Sequence, residues 1–140
     1  MKREIKFRAW DKENGCWASI NSIVLCDDGS IAYLLPEEDD MPPYSEDEVE
    51  LMQYTGLKDI NGKPIYEGDI VNVTWSRYDT EGKNYAIAYD PNNDGYPAFE
   101  LVDWYEDMNG LSCAYIDGQI TVIGNGFENP ELLEVTDDEL

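Results

Sequence analysis

A mainly β fold follows from three features of this 140-residue chain. Short apolar runs alternate with polar residues at intervals of about 8 to 12 positions. Turn-forming pairs such as Asn61-Gly62 and Asp117-Gly118 fall between those runs. Helical periodicity, with apolar residues recurring three and four apart, is almost absent. Together these predict a small all-β barrel or sandwich with little helix.

Residues 3–10 alternate, with Ile5, Phe7 and Ala9 on one side and Lys6 and Arg8 on the other, which predicts a half-buried strand with a cationic outer face. The polar stretch Asp11 to Gly15 turns the chain, and Cys16-Trp17-Ala18 begins the return. Ile20 to Leu25 and Ile31 to Leu35 form a hairpin around Asp27-Asp28-Gly29-Ser30. Pro36 to Glu50 carries three prolines and eight acids in fifteen residues, too charged and proline-rich for a sheet, and reads as a mobile acidic loop. Within it, Ser45-x-x-Glu48 fits a capping box and predicts a helical turn.

The chain is organised around Leu51 to Val71. Asn61-Gly62 predicts a tight hairpin with two φ > 0 residues, and Glu67-Gly68-Asp69 a second turn with Gly68 left-handed. Strand Ile70 to Ser76, a polar loop around Asp79 to Lys83 and a strand alternating through Tyr85, Ile87 and Tyr89 come next. A loop from Pro91 to Gly95, a long strand from Ala98 to Tyr105 and a turn at Met108-Asn109-Gly110 follow. Cys113 to Ile116 pairs with Gln119 to Ile123 in a final hairpin. Asn129 can cap one helical turn starting at Pro130, and Thr136 to Leu140 reads as a frayed tail. The whole is expected to be one domain: N-terminal strands 3–35, acidic loop 36–50, a core of about 51–125, and a C-terminal turn and tail 126–140.

Three stretches, MKREIKFRAWDKENG at the start, LMQYTGLKDINGKPIYEGDIV in the middle and VIGNGFENPELL near the end, resemble the phage and prophage YopX family in residue type, order and spacing. The resemblance implies an SH3-like β-barrel with additional N-terminal strands, encoded by a bacteriophage or prophage. It implies no activity, cofactor or catalytic residue.

Composition narrows the chemistry. The chain has 31 acidic and 9 basic residues, a net charge of −22, and no histidine. All the basic residues lie at or before Lys83. Direct nucleic-acid binding is therefore not expected, because phosphate contacts are made mainly by Lys and Arg. Cys16, Cys26 and Cys113 form no CxxC pair and read as reduced thiols partly in the core. Without imidazole the common zinc sets and the Ser/Cys–His triads are missing, so acid–base chemistry would fall to carboxylates, tyrosines or lysines. No run of eighteen apolar residues or signal-peptide core occurs, so a cytoplasmic location in the host bacterium, away from any membrane, is expected.

Three groups are weighed as sites. Asp90-Pro91-Asn92-Asn93-Asp94-Gly95 matches a calcium loop at positions one, three, five and six, but position twelve is Leu101, with Glu100 one place early; a hairpin loop explains the same residues. Asp59, Glu67 and Asp69 could form a carboxylate cluster, yet with Asn61, Gly62 and Gly68 they also suit turns in which Asp bonds local amides. Trp10, Trp17, Trp75, Tyr78, Trp104 and Tyr105 could line a peptide groove, or serve as core. The structural alternative is favoured for each, so no catalytic, cofactor or metal residue is assigned. The function expected is a non-enzymatic interaction module whose acidic surface meets a basic host or phage protein, with DNA mimicry as a special form. The alternatives are a carboxylate-based metal-dependent enzyme and a homo-oligomeric assembly protein, the latter through strand exchange or edge pairing.

Overall fold

A computed structural model describes residues 4–75, 82–93, 95–105 and 108–133. Tyr78, Asp94, most of the loop expected at Asp79 to Lys83, and the tail lie outside these residues. The described residues are mainly antiparallel strand, in keeping with the predicted class. The chain divides into two compact units, Glu4–Gln53 and, from Tyr54 on, the remainder.

In the first unit β1 (Phe7–Asp11) pairs with β2 (Cys16–Ala18) and with Val49 to Gln53, the first half of β5 (Val49–Lys58). Asp11 builds the β1–β2 turn. Its Oδ1 accepts the amides of Glu13 and Asn14 at 3.1 and 3.0 Å, and its Oδ2 accepts the Asn14 side-chain amide at 2.8 Å and the Tyr44 hydroxyl at 3.4 Å. β3 (Ile20–Leu25) and β4 (Ile31–Pro36) form the expected hairpin. Ala9, Leu34 and Val49 make the core. Ile5 and Phe7 depart from their predicted inward face: the strand starts only at Phe7 and burial only at Ala9, which leaves both exposed.

The acidic connection is shorter than expected. Leu34 and Tyr44 exchange both backbone hydrogen bonds, at 2.9 and 2.8 Å. A 3₁₀ turn follows at Glu46–Glu48, and the Ser45 amide donates to the Glu48 carboxylate at 3.1 Å, one arm of the predicted capping box. The stretch outside regular pairing narrows to 37–43, where every residue is exposed. Cys16 and Cys26 are also exposed, not in the core.

In the second unit Tyr54 to Lys58 pairs with β6 (Pro64–Tyr66). Then β7 (Asp69–Thr74), β8 (Lys83–Asn93), β9 (Tyr96–Leu101) and β10 (Gln119–Asn125) form a four-stranded antiparallel sheet in the order β10-β7-β8-β9. Ile65, Val71, Val73, Ile87, Leu101 and Ile120 are at the centre of its core. Loss of this apolar burial is the largest cost of unfolding, roughly 2 kcal/mol per large aliphatic side chain.

Several expectations fail here, among them the loop from Pro91, since β8 runs on to Asn93. The hairpin at Asn61-Gly62 is not a two-residue turn, because only Gly62 has positive φ, at 83°. The Gly62 amide bonds the Asp59 carbonyl at 3.0 Å, and the Asp59 amide bonds the Lys63 carbonyl at 2.8 Å, which is the longer turn with a left-handed residue in fourth place. The strand expected at Cys113 to Ile116 is instead a helix, α1 (Gly110–Asp117). Asn109 sits before it in extended backbone, and its Oδ1 accepts the Ser112 amide at 2.8 Å. That side chain converts the expected Met108-Asn109-Gly110 turn into a helix start.

The long strand to Tyr105 also stops early, at Leu101. Asp103 takes φ 65°, a conformation incompatible with a ladder but tolerated by Asp. Trp104 then comes against Gly110 so closely that a Cβ at that position would overlap the indole. Gly110→Ala should therefore destabilise by about 2 kcal/mol from overpacking, even though alanine is the better helix former by about 1 kcal/mol. Urea unfolding followed by tryptophan fluorescence checks the sign.

Candidate functional site

The central stretch is held by Asp59. Its Oδ1 accepts the amides of Asn61 and Lys63, both at 2.9 Å, and its Oδ2 accepts the Val122 amide at 2.9 Å. Beside it the Ile60 amide bonds the Ile120 carbonyl at 2.9 Å. One buried carboxylate thus closes the β5–β6 turn and ties it to β10, at the point where β10 shifts register. Asp69 is used in a similar way, its Oδ2 accepting the Tyr66 amide at 2.8 Å across the Gly68 turn, where φ is 82° as expected. Among the described residues no group of three acids or cysteines, Asp59, Glu67 and Asp69 included, could hold a metal ion.

Burial pushes the Asp59 carboxyl up, but the amides of Val122, Lys63 and Asn61 and the charge on Lys63 outweigh it and hold the group below its usual 3.8. Asp11 is also lowered, by the backbone and then the side-chain hydrogen bond from Asn14. A lowered carboxyl binds fewer protons folded than unfolded. Its stabilisation is complete above the unfolded value and is lost as pH falls through the folded one. Stability should therefore drop steeply below about pH 3.8, and the drop should be shallower in Asp59→Asn, as urea midpoints across pH 2 to 5 will show.

A second buried carboxylate was not singled out by its surroundings in sequence except as a misplaced calcium ligand. Glu100 on β9 accepts the amides of Leu101 at 2.8 Å, Leu111 at 2.9 Å and Gly110 at 3.0 Å, and the Asn93 side-chain amide at 2.9 Å. Asn109 donates to Asn93 Oδ1 and to the Phe99 carbonyl, both at 2.9 Å. This network satisfies the first amides of α1 with a negative charge, where the helix dipole favours one. It takes up one member of the calcium-like stretch, Asn93, which points inward to Glu100; outside the network, Asp90 Oδ1 accepts the Asn92 amide at 3.0 Å.

The aromatics separate into two groups. Trp10 and Trp17 meet edge to face at 5.0 Å in the first unit, with the Arg8 guanidinium 4.6 Å above the Trp17 ring. In the second unit Trp104 is central, 5.6 Å from Trp75, 5.8 Å from Tyr85 and 5.0 Å from Tyr105. Around its edge lies a cleft of about 380 Å³ bordered by Tyr89, Asp90, Asp103 and Trp104, with Glu100 and Leu101 below. The first unit has an apolar groove of about 640 Å³ along β3, bordered by Ile5, Phe7, Ile23 and Leu25. Among the described residues, Glu37-Glu38-Asp39-Asp40 on the β4–β5 connection is a run of four consecutive exposed acids.

The YopX protein family model matches residues 6–134, nearly the whole chain. The chain belongs to the YopX family. Protein EF1440 from Enterococcus faecalis is 27% identical and superposes with a TM-score of 0.65, over 95% of this chain and 100% of its own. YopX from Bacillus subtilis, 22% identical, shares the fold with a TM-score of 0.51 over 94% of this chain and 97% of its own. No curated protein matches the chain.

The residues that carry the YopX resemblance are therefore largely fasteners of the fold. Asp59, Gly68 and Asp69 in the central stretch meet Val122, Gly126 and Asn125 in the C-terminal one, where the Gly126 amide bonds the Gly68 carbonyl at 2.9 Å. Asn125 Oδ1 accepts the amides of Phe127 and Glu128, and the predicted turn from Pro130 is present as a 3₁₀ turn, Pro130–Leu133. The Asn129 side chain turns back from it, its Oδ1 accepting the Asn125 amide at 3.3 Å. No described helix is long and apolar enough to cross a membrane.

Proposed function

We propose that this YopX-family chain is a non-enzymatic protein-binding module that takes a basic partner onto its exposed carboxylates, above all those of the β4–β5 connection. One observation carries the reading: the buried acids Asp11, Asp59 and Glu100 are consumed by backbone amides, while Glu37 to Asp40 stand exposed and consecutive. Such a run steers a cationic surface at long range and loses its hold as salt screens it. The partner is protein and not nucleic acid, which the same charge repels, and the module works in the cytoplasm.

Affinity capture from bacterial lysate tests this with two variants of equal charge change, E37Q/E38Q/D39N/D40N and E13Q/D27N/D117N/E131Q. The expected result is a basic protein held by the wild type and the second variant, released by about 0.5 M salt where the Debye length falls below about 5 Å, and missed by the first variant. Enrichment of no basic protein at low salt contradicts the proposal.

A further inference from the structure

The cleft beside the β8–β9 hairpin combines a shape and a chemistry that the fold does not require. Tyr89, half exposed, Trp104, Asp90 and Asp103 are among the residues that line it. No lysine or arginine is among the residues that line it. An anion entering it meets only negative charge, and a neutral apolar group would strip water from the carboxylates without replacing their partners. A bare metal ion is not served either, since no three carboxylates among the described residues converge. What suits all four residues is a cationic head on an apolar stem. The stem packs along the rings, the charge lies against an aromatic face, and the carboxylates accept its hydrogen bonds. A volume of about 380 Å³ accommodates one such side chain.

We propose that this cleft receives a single arginine or lysine side chain of the basic partner, against Tyr89 and Trp104 and the carboxylates of Asp90 and Asp103. The proposal rests on the reading that the partner is basic, and adds where one of its side chains is read. It divides the labour between two surfaces. The exposed acidic run attracts without selecting, and the cleft selects, because its aromatic and acidic lining suits a cation carried on an apolar stem.

The probe is blocked hexa-arginine, followed by amide NMR and by fluorescence anisotropy. The expected result is saturable shifts at residues 88–90 and 101–104, with affinity about tenfold weaker in D90N/D103N, whose asparagines still suit the local turn and the positive φ. Tyr89→Ala, which changes no charge, should weaken binding severalfold, an effect that bulk electrostatics would not produce. Shifts confined to residues 37–50, or binding unchanged by Tyr89→Ala, would overturn the cleft while leaving the acidic module standing. Absence of any hexa-arginine binding at low salt would overturn both.

Discussion

Glu100→Gln should lower the unfolding free energy by about 3 kcal/mol, the cost of turning one buried acceptor into a donor that faces other donors. Both carboxylate oxygens are already committed, Oε1 to the amides of Leu101 and Leu111 and Oε2 to Gly110 and the Asn93 side chain. Whichever way a glutamine amide is turned, its NH₂ group opposes two donors. The negative charge at the start of α1 is lost as well. For a chain of this size the melting temperature should fall by about 10 °C. Thermal unfolding by circular dichroism checks the value, and a loss below about 1 kcal/mol would mean that the amides find other partners.

The second large effect is expected at Asp59. Asp59→Ala leaves the Asn61, Lys63 and Val122 amides without their acceptor and should cost about 3 kcal/mol. Asp59→Asn retains one oxygen, enough for the Asn61 and Lys63 amides or for Val122 but not for all three. It should fall in between, at about 2 kcal/mol. Urea unfolding gives both values, and hydrogen exchange at the Val122 amide should accelerate in each variant. Equal stability of the three proteins would remove Asp59 as the link between the β5–β6 turn and β10.

What could be read from sequence was whatever is local. The hairpins at β1–β2 and β3–β4, the Ser45 capping box, the left-handed Gly68 and the turn at Pro130 each depend on residues only a few positions apart. Alternation likewise gave β8 its inward residues Tyr85 and Ile87, though Tyr89, next in the same alternation, is half exposed. The failures are where a distant partner decides. Residues 113–116 are as apolar as a strand, and they form a helix because Asn109 caps it and Glu100, ten positions before Gly110, accepts its first amides. Asn109 followed by Gly110 was the available sign, but the pair fits a turn and a helix start equally well.

The same distinction applies to the acids. Asp59 and Glu67 look like candidates for a cluster in sequence, and only the fold shows Asp59 turned toward Val122, sixty-three positions away. Trp104 was in the aromatic set, but its proximity to Tyr89, Asp90 and Asp103 follows from the β8–β9 pairing and the break in strand at Asp103. Charge could be counted from the sequence. Its division into carboxylates that hold the fold and carboxylates left to the solvent could not.

That division is tested most directly by the urea midpoint of E37Q/E38Q/D39N/D40N at low salt. If these four acids serve recognition alone, the variant should be as stable as the wild type or slightly more so, since four like charges have been removed from a chain of net charge −22. A loss of about 1 kcal/mol or more, well outside the ±0.5 kcal/mol usual for surface changes, would show that the exposed run is itself part of what holds the fold, and would contradict the account.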